Sequence, residues 1–217
     1  MRSLFAIVCS YIARYAPLNS DKNPSTSIQK SIRPNFQNHP KKKQDMDHVS
    51  LFLLRHGQTE ENVRHILQGH MPGTLTPLGR QQAEDACGEI RKLQVDIVLS
   101  SDLKRCTDTY DIIKHSIPEL PDLITTPLLR ERGWGSATGM VADGVTRIVI
   151  PDDAESVKAM KTRAQIFIDY LRNTYSGKKV LAISHGLFCR VIQAVLYGKE
   201  IADIKPMTNA EVREITI

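Results

Sequence analysis

Several classes of protein are excluded by what this chain lacks. Its four cysteines, Cys9, Cys87, Cys106 and Cys189, lie far apart and show no metal-type spacing. That argues against a zinc site and against a disulfide framework, and the thiols are expected to be buried and reduced. No apolar run is long enough to span a bilayer: the best, Leu4 to Ala13, is too short and is interrupted by Ser10 and Tyr11. No internal repeat is visible, so a solenoid is not expected. Charge of one sign is also missing where it would matter. The net charge of +5 comes from residues 1–47, which hold 8 Lys+Arg against 3 Asp+Glu, whereas residues 48–217 hold 21 of each. The main body of the chain therefore offers no electrostatic case for nucleic acid. What remains, with 41% hydrophobic and 24% charged residues in 217, is the composition of a soluble globular protein with one ordinary domain and some extra length.

That extra length is residues 1–47. It is read as a disordered or targeting leader ahead of a domain spanning 48–217. After Leu4 to Ala13 no clean small-x-small cleavage site follows, and Arg14 is badly placed for secretion. No acidic residue precedes Asp21, which favours a transit-like segment. Asn19 to Asp47 is polar and carries Pro24, Pro34, Pro40 and the run Lys41–Lys43, a composition that cannot bury enough surface to fold alone. Met46 is an alternative start, and the lysine run reads as a solvated tail. The expected compartment is the cytoplasm, with no membrane and no nucleic-acid partner.

Residues 48–217 alternate between strand and helix patterns. Val49 to Leu54 is apolar and suits a strand buried on both faces. Thr76-Pro77 opens a helix, with threonine as cap and proline at the first helical position. Ile97 to Ser100 reads as a short strand, and Asp102 is expected to cap a helix over Leu103 to His115. Pro118 and Pro121 mark a loop. Val157, Met160, Ala164, Phe167, Ile168, Leu171 and Tyr175 stripe one helix, Val180 to Ile183 forms a strand, and Leu187, Val191, Ile192 and Val195 stripe the helix after it. Glu211 to Ile217 alternates as a last strand. The implied fold is α/β, a three-layer sandwich whose mostly parallel central sheet has helices on both faces.

Two strands end in the same way, in Arg55-His56-Gly57 and in Ser184-His185-Gly186. The crevice beyond the carboxyl ends of parallel strands is where ligands bind in such sheets. If the two strands are neighbours, both imidazoles enter one crevice. An arginine beside His56, and a helix beginning after Gly186, would favour an anion there.

The stretch Leu-Leu-Arg55-His56-Gly57-Gln-Thr59-Glu-Glu-Asn62 resembles the signature of the histidine phosphatase superfamily, the phosphoglycerate-mutase-like proteins. The resemblance extends from about Val49 to about Val195. Ser101-Asp102-Leu103-Lys104-Arg105 resembles the segment that supplies a second phosphate-binding arginine, here Arg105. Leu129-Arg130-Glu131 resembles the segment that places a proton donor, here Glu131. The alternative for Glu131 is a surface ion pair with Arg130 or Arg132. The family pattern usually continues to Glu-Gly where this chain has Thr138-Gly139. Trp134 fits packing better than catalysis.

The resemblance implies that His56 attacks phosphorus and becomes a phosphohistidine. Arg55, Arg105, His185, Asn62, Thr59 and Gly186 would hold the phosphoryl group, and Glu131 would serve as acid and then base. No metal or other cofactor is expected. The partner is a small phosphorylated substrate. Only a short segment separates Gly139 from Glu155-Ser156, which resembles the family's Gly-Glu-Ser stretch. A short lid admits water, so hydrolysis is the first expectation and phosphoglycerate mutase the second. A non-catalytic phosphate-binding or scaffold protein on the same fold is the third. Arg147, Val145 and Ile148 to Ile150 are placed either along the pocket or in a surface loop.

Overall fold

The computed structural model describes residues 48–142 and 149–217. The leader and its alternative start at Met46, together with Cys9, Val145, Arg147 and Ile148, lie outside the described residues.

The apolar run after Val49 becomes β1 (Ser50–Arg55). It is followed by a single helical turn, α1 (Glu60–Val63), and then α2 (Pro77–Leu93). Next come β2 (Ile97–Ser100), α3 (Lys104–Ser116) and β3 (Leu123–Thr125). The chain continues through two short 3-10 turns to α4 (Val157–Thr174), β4 (Lys179–Ser184), α5 (Gly186–Tyr197) and β5 (Val212–Thr216). The five strands form one sheet in the order β3-β2-β4-β1-β5. All neighbours run parallel except β5, which pairs antiparallel with β1 along the edge.

β1 and β4 are apolar on both faces because both faces are covered. Leu51 and Leu53 join Val180, Ala182 and the α4–α5 layer, where Phe167, Leu171, Phe188 and Ile192 are buried. Phe52 and Leu54 point the other way, to Leu181, Ile183 and the α2–α3 layer through Ala83, Ile90, Cys106 and Ile113. The alternation of Cβ directions along a strand thus feeds two cores, one on each side of the sheet. This is the expected three-layer α/β sandwich.

Helix starts follow local chemistry, with one exception. Thr76 Oγ accepts from the Gly79 amide, as a threonine cap before proline should. Ser156 caps α4 in the same way. Asp102, expected to cap α3, does not: the cap position is Leu103, with no side-chain hydrogen bond. The Asp102 carboxylate instead takes a bidentate bond from Arg130, at 2.7 and 2.5 Å. A fork-to-fork charged pair outweighs a single cap bond. The stretch beyond Pro121 is not all loop, because Leu123–Thr125 adds a strand beside β2. Its three residues are too few to show a period.

The turn after β1 is fixed by two glycines in contact. A Cβ on Gly57 would stand 2.3 Å from the Gly79 carbonyl oxygen, and one on Gly79 would stand 2.0 Å from the Gln58 carbonyl oxygen. Backbone against backbone, neither can yield. Gly79→Ala should therefore cost about 1–3 kcal/mol, as overpacking does. Gly88, in the same helix with open space around it, should behave oppositely: Gly88→Ala should gain up to about 1 kcal/mol from helix propensity. Thermal melts of the two variants should move in opposite directions, and equal shifts would contradict the packing described.

Candidate active site

The register of β1 on β4 pairs Arg55 with Ser184. The next residue on each strand is a histidine, and the His56 amide donates to the Ser184 carbonyl at 3.0 Å. The two rings meet edge to face, with centroids 5.3 Å apart and planes at 62°. The expected convergence of two strand-end imidazoles is therefore present.

Each ring's tautomer follows from its partners. His56 Nδ1 lies 2.7 Å from the Gly57 carbonyl oxygen. A carbonyl only accepts, so Nδ1 carries the hydrogen and Nε2 the lone pair. His185 is buried completely. Its Nδ1 accepts from Arg105 Nε at 3.1 Å, so Nε2 carries the hydrogen and donates to Ser101 Oγ at 2.9 Å. The Cys106 sulfur lies 3.5 Å from the same Nε2. Burial holds both imidazoles well below the ordinary histidine range. Arg105 and Arg55 add to this for His56, as do Arg105 and His56 for His185. Both rings are therefore neutral at physiological pH.

Two guanidiniums flank the rings. Arg105 is almost wholly buried, and beyond His185 it donates to the carbonyls of Met71 at 2.5 Å and Gly69 at 2.9 Å. The loop after α1 thus clamps it, a role for Gly69 to Met71 that sequence patterning did not reveal. Arg55 donates through Nη1 to the Met207 carbonyl at 2.6 Å, and its buried Nε has no partner. A Cβ on Gly186 would lie 3.2 Å from Arg55 Cζ, so Gly186 leaves the room that the guanidinium occupies. Burial lowers the pKa of both arginines.

Glu131 is brought to the same place by the 3-10 turn Pro127–Leu129. Its carboxylate accepts from the Arg132 amide at 2.9 Å and from the Leu187 amide at 3.2 Å. Leu187 belongs to the first turn of α5, so the helix N-terminus holds this carboxylate. The surface ion pair with Arg130 or Arg132 does not form: Arg130 binds Asp102, and Arg132 donates to the Glu155 carbonyl at 2.8 Å and stacks on Trp134. Behind this stretch Arg163 forks onto Glu155 at 3.0 and 2.8 Å and donates to the carbonyls of Leu128 and Arg130. It also lies 3.8 Å over the Phe188 ring. Arg163 was missed from sequence. It adjoins Ala164 of the α4 stripe, a pattern that speaks only of packing.

Arg55, His56, Asn62, Arg105, Glu131 and Gly186 all border one cleft of about 240 Å3. Thr59 does not. It is fully buried as the cap of α1, its Oγ accepting from the Asn62 amide and from Gln68 Nε2, while Asn62 Oδ1 accepts from the Thr59 amide. This reciprocal box sets the direction of α1. Thr138 is exposed at the end of the 3-10 turn Gly135–Ala137. Val149 and Ile150 are exposed. Among the described residues, no group of three or more His, Cys, Asp or Glu side chains is placed to hold a metal ion, and no helix is long and apolar enough to cross a membrane. The described cysteines Cys87, Cys106 and Cys189 are buried free thiols.

Two imidazoles lie between two guanidiniums at the carboxyl ends of parallel strands, a positively lined arrangement. Residues 51–217 match the histidine phosphatase superfamily, branch 1, and the chain belongs to that superfamily. Among its relatives, phosphoglycerate mutase-like protein 4 of Arabidopsis thaliana is 29% identical over 159 residues, covering 66% of this chain and 69% of the relative. A probable phosphatase of Schizosaccharomyces pombe is 32% identical over 151 residues, covering 67% and 72%. A broad-specificity phosphatase of Saccharomyces cerevisiae is 43% identical over 99 residues, or 44% of this chain and 43% of that protein. The solved structure of a mycobacterial glucosyl-3-phosphoglycerate phosphatase superposes with a TM-score of 0.67 at 26% identity, covering 76% of this chain and 91% of that one. The site is a histidine-phosphatase active site.

The two neutral rings carry a stability consequence. Below about pH 6.5 the unfolded chain protonates both histidines while the folded chain resists, so the unfolded state binds more protons and is favoured. The melting temperature should hold from pH 8 to 7 and fall steadily from pH 6.5 to 5. His56→Asn should flatten part of that fall. A melting temperature indifferent to pH across this window would contradict the burial of two neutral imidazoles.

Proposed function

We propose that the protein is a phosphomonoester hydrolase that acts through a phosphohistidine on a small phosphorylated metabolite, without a metal. One observation carries the reading: His56 Nδ1 donates to its neighbour's carbonyl, which leaves an Nε2 lone pair in a cleft walled by Arg55 and Arg105. A nucleophile must be unprotonated, and this one is kept so. Nε2 attacks phosphorus as the ester P–O bond breaks. Glu131 gives a proton to the departing alkoxide, then takes one from the water that attacks the phosphohistidine, whose P–N bond breaks and returns Nε2. Arg55, through its unpartnered Nε, Arg105 and the Asn62 amide hold the phosphoryl oxygens, and His185 steadies Arg105 and the cup.

Hydrolysis is preferred to mutase action for two reasons. The segment between Gly139 and Glu155 is short, and a mutase must keep its phosphohistidine dry. The fission and budding yeast relatives are named as phosphatases. The name of the Arabidopsis relative keeps phosphoglycerate mutase as the second reading. The third expectation, a scaffold without catalysis, is set aside because Arg55, His56, Arg105, Glu131 and His185 are all present in the chain.

His56→Ala should lose at least about a thousandfold in turnover of p-nitrophenyl phosphate, as expected for loss of a nucleophile. Rapid quenching of the wild type should trap an acid-labile, alkali-stable phosphoenzyme that this variant lacks. Glu131→Gln should cost about 10²–10⁴ on an alkyl phosphate and less on p-nitrophenyl phosphate, whose leaving group needs little protonation. With 3-phosphoglycerate and catalytic bisphosphoglycerate, free phosphate rather than the isomer is expected. A fully active His56→Ala protein would end the assignment.

A further inference from the structure

The phosphoryl cup fills only part of the cleft. The remaining wall carries Leu67, Trp134, Leu187, Pro206 and Met207 beside the polar Gln68 and Arg190. This wall begins at the proton donor. Trp134 follows Glu131 by three residues, and the Leu187 amide binds the Glu131 carboxylate. An alcohol whose oxygen is protonated by Glu131 must carry its carbon skeleton past these side chains.

Trp134 is held in place from several sides. The Arg132 guanidinium lies 4.5 Å over its ring and is itself anchored on the Glu155 carbonyl. A Cβ on Gly69 would come 3.2 Å from Trp134 Cδ1, so the indole rests directly against backbone there. The ring is half-buried, with an edge toward the cleft.

Among the described residues, one guanidinium beyond the phosphoryl cup also borders the cleft. Arg190 reaches the cleft but gives Nε to the Ile204 carbonyl at 3.0 Å and Nη2 to the Ile201 carbonyl at 2.6 Å. Arg132 is stacked and anchored as described, while Arg55 and Arg105 belong to the phosphoryl cup. An apolar group on the leaving alcohol would gain burial against these side chains.

Building on the hydrolase reading, we propose that Trp134, Leu67, Leu187 and Met207 form a leaving-group subsite. It selects phosphate monoesters of apolar or aromatic alcohols over those of polar ones. Trp134 is the specificity residue, and its ring stacks on or edges against the released alcohol.

The test uses the full chain and three esters with alkoxide leaving groups, so that intrinsic reactivity is matched: 2-phenylethyl phosphate, glycerol 3-phosphate and 3-phosphoglycerate. The kcat/KM for the phenylethyl ester should exceed that for glycerol 3-phosphate and that for 3-phosphoglycerate by at least about tenfold. Trp134→Ala should bring the ratio close to one, mainly through KM for the phenylethyl ester, and Trp134→Phe should restore it. Because the chain has one tryptophan, binding of the non-hydrolysable 2-phenylethylphosphonate to the wild type should change its fluorescence. Equal or reversed preference in the active wild type overturns the subsite, as does a ratio that survives Trp134→Ala. Failure to hydrolyse any of the three esters, or p-nitrophenyl phosphate, overturns instead the hydrolase reading beneath it.

Discussion

The site depends on the parallel pairing of β1 with β4 in a single register. Ser50 to Arg55 run beside Lys179 to Ser184, and the last rung passes from the His56 amide to the Ser184 carbonyl. A slip of one residue would turn the apolar side chains of one strand to the wrong face and separate the histidines. Burial on both faces is what forbids the slip. Leu51 and Leu53 need the α4–α5 core, and Phe52 and Leu54 need the α2–α3 core. The geometry of the rings is thus inherited from the two cores.

Around that pair, charges are placed mainly by backbone dipoles. Arg105 is aimed by the Met71 and Gly69 carbonyls and by a neutral imidazole, and Arg55 by the Met207 carbonyl. Glu131 is held by two backbone amides. Fixed dipoles of this kind are already oriented before substrate arrives, so little reorganisation opposes the growth of charge during phosphoryl transfer. Arg163 extends the same logic outward, joining Glu155 on one segment to the carbonyls that lead into Glu131 on another.

Much of this organisation was legible in the chain. The two His-Gly strand ends, the Thr76-Pro77 helix start and the stripes of α4 and α5 each carry a local signal, and the structure has elements at all of them. Other features had only partners remote in sequence. Asp102 looks like a cap until Arg130, 28 residues away, claims its carboxylate. Thr59 reads as a ligand for phosphate because it follows Arg55-His56-Gly57, yet it is fully buried off the cleft, its hydroxyl oxygen accepting from Asn62 and Gln68. Trp134 reads as packing, and only the folded cleft shows its edge beside Glu131.

The amino-acid order alone determined the alternation of strands and helices through periodicity, the superfamily through the resemblance of its motifs, and the two His-Gly strand ends through neighbours a few residues apart. Tertiary structure decided the tautomers of His56 and His185, the carbonyl clamp on Arg105, the seating of Glu131 at a helix N-terminus and the apolar wall beyond the cup. Those depend on hydrogen-bond partners and packing surfaces that meet only when distant segments fold together, and nothing in the spacing of residues along the chain encodes them directly.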